Sequence, residues 1–572
     1  MRTIYLFMIV LLGTIPGLSQ PKTSVKWGED FKIRKYSAGL KVISSDKTGV
    51  YLMESHMAIG AFYVVVAKLR ESATLVKLDG NLADVYRHDY NDELKGKEFE
   101  QFFSCGDNLY IFASAFIRRD ENPDLYAAKI DKASGDLIGG WQMITPFEKS
   151  DRKDEVLFKV TYNADSTKMV VVCSMKGKEK NQYKILELDK NLKVTEEATF
   201  SNEFEPKEYQ LEDVLYTVDK KVLLVGRIYA YEEGKKKKEK FLDFDHYSIR
   251  LYDRTGKQEA EINTDINGKY LTSTRLLQGN NKGLVLAAFY SNVKKSGNVD
   301  GLLVQRIDIN SGKAISTNEK EIGSAMLSAD EELTMDDDKD EEEDDKPAKR
   351  KRIDKTDVEG EGITKNMKFR NMFFTSDGGV IILAEPSRSR ISTSTMYNPG
   401  NSHSPGSTST FSTTVFESGD MMMCKIAATG DIAWLKTLPK KQRERYTSGS
   451  THTGPGVSFF SSPGGASYSG FGAMQLGSNI DVFMNDNPKN LSVTTSGQQV
   501  RLGNNLHRSD CFLISIDEVT GNITRKQVFS NREIPTAMPA SGVTIGRDMY
   551  IVGKTYTSFS KPRIAVGKIT VK

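Results

Sequence analysis

One pattern recurs along this 572-residue chain: an alternating apolar strand ending in Asp, a short turn usually holding Gly, then a second strand. It is read at LVKLDGNL (75–82), AAKIDKASGDL (127–137), ILELDKNL (185–192), IRLYDRTGK (249–257), VQRIDINSGK (304–313), CKIAATGDI (424–432) and LISIDEVTGNI (513–523), and VGKITVK (566–572) closes the chain. The Asp stands at Asp79, Asp131, Asp189, Asp253, Asp308 and Asp517, with Ala427 and Thr570 at the equivalent places of the other two units. Alternation with period two buries one face of each strand, while Asp and Gly adopt turn geometry that β-branched residues reach only at a cost. Each unit is therefore a hairpin. A second strand pair precedes each hairpin, as in FEQFFSCGDNLYIFASAF and FRNMFFTSDGGVIILAE, so the repeat is four strands long. Four-stranded units recurring about every 55 residues specify propeller blades.

The expected fold is all-β: a single eight-bladed β-propeller of four-stranded antiparallel blades over residues 20–572, with seven blades as the second choice. The blades are expected near 41–90, 99–146, 155–200, 208–264, 270–322, 367–439, 466–530 and 541–572. The eighth supplies only three strands, and WGEDFKIRKY (27–36) has no other partner. Pairing it into blade 8 closes the ring and removes an exposed edge. TGDIAW (429–434) and SGDLIGGW (134–141) resemble the Thr-Gly…Trp blade ends of quinoprotein-like propellers. The resemblance concerns the fold and carries no catalytic residue across.

Residues 1–19, MRTIYLFMIVLLGTIPGLS, read as a secretory signal peptide: Arg2, then an apolar run from Ile4 to Leu12, a Pro16-Gly17 break and Ser19. The chain is thus expected to be exported, either periplasmic or at the cell surface, with no transmembrane segment. Lys and Arg number 79 against 76 Asp and Glu, a balance that excludes a global footprint for nucleic acid. Cys105, Cys173, Cys424 and Cys511 form no CxxC pair and read mainly as buried thiols, with one disulfide left open.

In a propeller the A–B and C–D turns share one face, and the B–C and D–A connections share the other. The tight turns fall in the first class. All long insertions fall in the second: 232–244, 386–419 and 485–510 as B–C loops, 323–366 and 440–465 as D–A connections. The extra chain therefore collects on one face over blades 4–7, where function is expected. Segment 330–345 carries twelve acids and one Lys and is followed by KPAKRKR, so 323–366 reads as a disordered acidic/basic insertion. Residues 386–419 read as a Ser/Thr-rich loop.

The candidate binding residues lie on these loops: His403, His452, His507, Phe459, Phe460, Tyr468 and Phe471. Aromatics among small polar residues suit protein or sugar recognition. Converging, the three histidines would suit zinc. FTSDGGVII (374–382) is similar to one Asp box of sialidases, but a plain turn accounts for it, and no nucleophile elbow or phosphate loop is present. The sequence thus points away from an enzyme, with no cofactor expected and the metal question open. The preferred reading is a non-catalytic exported scaffold that binds an envelope or outer-membrane protein through this loop face. The alternatives are a carbohydrate-binding or carbohydrate-active propeller and, behind it, a metal- or quinone-dependent enzyme.

Overall fold

The computed structural model describes residues 23–571 apart from 33–36, 60–68, 116–121, 149–154, 164–165, 177–180, 203–208, 218, 234–239, 263–267, 279–283, 294–297, 309–310, 323–362, 365–366, 399–406, 453–465, 467, 534 and 556–562. The expected leader and nearly all of the acidic/basic insertion fall outside the described residues. The chain is an eight-bladed β-propeller. Blades 1 to 7 run from Ser37 to Asp89, Lys97 to Thr145, Glu155 to Asn202, Tyr209 to Ile262, Tyr270 to Glu321, Met367 to Leu438 and Phe471 to Ser530. Each is a meander of strands A to D in chain order. Blade 7 is a regular four-stranded sheet, which settles the choice between seven and eight.

The ring closes as expected, with the closing segment a few residues earlier than 27–36. Thr23–Trp27 and Phe31–Lys32 both pair antiparallel with Arg563–Val571, the third strand of blade 8. The break between them sits at Gly28, whose N–H still bonds Val566 O at 2.9 Å. Trp27 fixes the register: its ring lies over Gly553, where a Cβ would collide with it, and over Gly567, where a Cβ would press on it at 3.1 Å, and it meets Phe529 edge-on at 5.7 Å.

Eight buried apolar clusters fill the eight gaps between neighbouring blades. The blade 8–blade 1 cluster joins Val42, Leu52 and Val76 to Tyr550, Val552 and Val566, so the core is itself a closed ring. No blade buries both faces alone; stability is shared between neighbours.

The repeated Asp now has a physical role. Asp79 Oδ1 accepts the N–H groups of Asn81 and Ala83, at 2.7 and 2.9 Å, and Asp189 and Asp253 repeat the arrangement in blades 3 and 4. Each carboxylate thus ties down a C–D turn. The turn then presses on the preceding blade. Gly521 has φ +66° and lies against the Trp434 indole, leaving no room for a Cβ. Trp434 and Trp141, the residues behind the quinoprotein-like resemblance, each donate their indole N–H outside their own blade, Trp434 to Glu518 O of blade 7 and Trp141 to Glu93 O in the connection between blades 1 and 2. Asp377 of the Asp-Gly-Gly sequence closes an A–B turn. Hydrogen bonds from Lys425 and Thr375 hold its carboxyl down to about 2.

All four cysteines are buried and unpaired. Burial pushes the thiols of Cys173 and Cys424 up to about 12 and raises those of Cys105 and Cys511 as well. Buried thiols with raised pKa are inert. Native protein at pH 8 is therefore expected to take up no thiol reagent at Cys173, Cys424 or Cys511, and to take up four equivalents after denaturation. Labelling followed by peptide mapping checks this, and fast native labelling of any of the three would contradict the packing.

Candidate functional site

The insertion at 386–419 is not a loop. The B strand of blade 6 runs without interruption from Val380 to Asn398, and Ser407–Ser418 returns along it from Ser387↔Ser418 to Asn398↔Ser407. The first half of the D–A connection, Gln442–His452, adds a third strand against Ser407–Ser418. A three-stranded arm thus rises from blade 6 on the B–C/D–A face. Thr, Ile and Val at alternate positions have strand propensity even where hydrophobicity is low, and this overrides the Ser/Gly-rich composition. The arm leaves the blade at Gly419, which stands where a Cβ would meet the Pro386 ring at 2.8 Å and whose N–H bonds Pro386 O. Blade 4 is built alike: Val222–Glu233 and Lys240–Tyr252 carry its B–C hairpin past the blade, with 234–239 outside the described residues.

A buried polar network holds the root of the arm. Lys440 and Glu385 are both fully buried and form an ion pair through Nζ and Oε2. Lys440 Nζ also reaches Ser418 Oγ at 2.6 Å and Gln442 Oε1 at 3.1 Å, and Arg370 Nε donates to Glu385 Oε1 at 2.6 Å. Burial opposes ionisation of Glu385, but Lys440 and Arg370 beside it prevail and hold the carboxyl below its ordinary value.

From this pair the network crosses two blade gaps. Gln442 takes the N–H of Gly470 at 2.8 Å and donates to Asn485 O. Glu444 Oε2 accepts the N–H groups of Tyr468 and Ser469, both at 2.9 Å. Asn485 spans the carbonyls of Tyr468 and Ala537, and Asn531 links Asn485 to Ser509. The B–C loop of blade 7 is equally anchored: fully buried Asp486 pairs with Arg525 at 2.6 Å and holds Asn490 at 2.9 Å. That loop bends back to the arm, where Gly503 N–H bonds Lys441 O and Arg443 N–H bonds Gly503 O.

The other face of the arm is basic. Register places Arg388, Glu417 and Arg443 side by side, with Arg390, Val415 and Arg445 in the next row. Buried Glu417 pairs with Arg388 at 2.5 Å, Arg443 at 3.1 Å and Arg390 at 3.5 Å. Arg445 is exposed.

Several sequence expectations need correction here. Tyr468 and Phe471, read as recognition aromatics, are each only 4% exposed. Phe471 begins the inner strand of blade 7 beneath the Lys440 ammonium, and Tyr468 packs edge-on against His507 at 5.3 Å. Neither offers a ring to solvent. His507 bonds Thr536 Oγ1 at 3.0 Å, and burial holds its pKa below the ordinary imidazole value against the pull of Glu444, so it is neutral near pH 7.

His452 lies eight residues up the arm from Glu444, about 27 Å of extended strand. Zinc bonds His nitrogen at about 2 Å, so His452 and His507 do not share a metal. His403, Phe459 and Phe460 lie outside the described residues. Among the described residues no group of three His, Cys, Asp or Glu is placed to hold a metal, and no helix is long and apolar enough to cross a membrane. Sequence reasoning missed Glu385, Lys440, Glu417 and the four arginines. The two Arg-x-Arg pairs, at 388–390 and 443–445, were the available signal, because period two puts each pair on one face of a strand.

Compared with known proteins, the sequence matches no family profile and no curated protein. Among solved structures it is similar to a protein of unknown function from Bacteroides caccae, at 10% identity over 64% of this chain and 89% of that one, with a TM-score of 0.25. The β-propeller domain of the trilobed protease from Pyrococcus furiosus gives 12% identity, 69% and 93% coverage and 0.28. Prolyl oligopeptidase B from Galerina marginata gives 11% identity and 0.27 over 60% of this chain, which spans only 38% of that enzyme. Likenesses this distant carry no argument about activity; strand pairing establishes the ring.

Proposed function

We propose that the chain is an exported, non-catalytic scaffold whose elaborated face binds a protein partner in the cell envelope. One observation carries the reading: the backbone added to the blades rises from one face as an ordered, ionically anchored arm, while the C–D turns opposite are tight and spent on contacts between blades. A rigid platform with one elaborated face presents area to a partner. Burial of Tyr468 and Phe471 removes two of the four loop aromatics on which a glycan site depended.

The register supplies a clean test. Ser392 and Thr413 face each other across the arm, so replacing 393–412 by Asn-Gly closes it as a two-residue hairpin and leaves the anchored root intact. After cross-linking in cells and tagged purification, the trimmed chain is expected to lose at least ten-fold of a partner that the wild type recovers. Recovery of the same partners at the same yield would overturn the proposal.

A further inference from the structure

We infer that the basic face of the blade 6 arm is the docking surface for this chain's own acidic segment, residues 330–345. The face presents four arginines, Arg388, Arg390, Arg443 and Arg445, around one carboxylate, Glu417. Three of the guanidinium groups share that single carboxylate, and Arg390 Nε has no acceptor although it is buried. Among the described residues the face therefore carries four cations to one carboxylate, in a half-buried place where water screens them poorly.

The same chain carries the complementary charge. Segment 330–345 holds twelve acids and one Lys, and even with the five basic residues of KPAKRKR it keeps a net charge of −6. Its return point is set by the described residues. Ile363–Thr364 pairs with Asn298–Val299, and the chain then enters blade 6 at Met367, whose register partner is Pro386, two residues before Arg388. The connection thus re-enters the fold at the root of the basic face. Seventeen residues lie between Asp345 and Ile363, a reach of about 60 Å when extended, so 330–345 reaches the whole arm. A tethered segment competes at high effective concentration with any free anion. The inference goes beyond the scaffold reading and stands whether or not a protein partner exists.

The test uses full-length protein. In one variant the twelve acids of 330–345 are changed to their amides, and a fluorescent peptide of sequence 330–345 is added. Anisotropy at 150 mM salt is expected to show binding to the amide variant at least ten-fold tighter than to wild type, whose own segment occupies the face. Adding Arg390→Glu and Arg445→Glu to the amide variant is expected to weaken the peptide at least ten-fold; Arg390→Gln with Arg445→Gln serves if charge reversal alters the far-UV spectrum. Equal affinity for wild type and amide variant would overturn the inference and leave the face to an acidic segment of another protein. Indifference to the arginine changes, or no binding by the amide variant, would overturn it as well.

Discussion

Changing Lys440 to Met is expected to lower stability by about 3–5 kcal/mol, the range for removing one partner of a buried ion pair. The ammonium is the central cation of a fully buried site, where it faces Glu385, Ser418 and Gln442. Without it the Glu385 carboxylate keeps Arg370, itself partly exposed, as its one cation, and the Ser418 hydroxyl as a neutral donor. A denaturation midpoint measured beside wild type reads the loss. Replacing both partners by apolar residues, Lys440→Met with Glu385→Leu, is expected to recover much of it, since an apolar pair leaves no buried charge behind.

The pH dependence has a definite sign. In wild type the Glu385 pKa lies below its ordinary value, so its contribution is present above that value and is lost as pH falls through the folded pKa. In the Met variant the largest counterweight to burial is gone, so the carboxyl titrates higher than in wild type and acid costs its folded state less. The gap between the two proteins should therefore narrow as pH falls from neutral toward 4. A gap that is constant with pH, or a midpoint shift below about 1 kcal/mol, would show that the pair does not hold the arm's root.

The second large effect concerns closure of the ring. Deleting residues 20–32 removes both segments that pair with Arg563–Val571 and leaves that nine-residue strand as an open edge. An open edge of this length templates pairing with another chain. The expected result is loss of the monomer peak in size exclusion, with soluble aggregate in its place. Trp27→Ala is the milder version. Its ring fills the space over Gly553 and Gly567, and its loss should cost about 3 kcal/mol, the lower end for a large aromatic because the residue is only partly buried. A truncated chain that stays monomeric with an unchanged midpoint would mean that blade 8 stands without its outer strand.

These two predictions also mark where the sequence was legible. The C–D hairpins could be read because Asp79, Asp189 and Asp253 do local work, tying down turns two to four residues away. The closing strand could be read by elimination, and its offset came from the break at Gly28, which no periodicity announces. The arm was obscure because Ser and Gly dilute its alternation, although Thr, Ile391 and Val415 carry the strand propensity. Lys440 was least legible of all. In LPKKQRER it reads as solvated charge, and only Glu385, fifty-five residues earlier, and Ser418 explain its burial. Likewise Tyr468 and Phe471 looked like loop aromatics because the residues that bury them lie in other strands and in blade 8.

A partner that meets the face bearing the arm leaves the opposite face of the same blade free. Ser392 on the arm and Ala428 at the C–D turn are both exposed and belong to the same blade, on opposite faces. The direct measurement places a photo-reactive amino acid at each position in turn, irradiates intact cells and compares the adducts. A discrete adduct is expected from Ser392 and none from Ala428; an adduct from Ala428 alone, or equal adducts from both, would contradict partner binding at the arm.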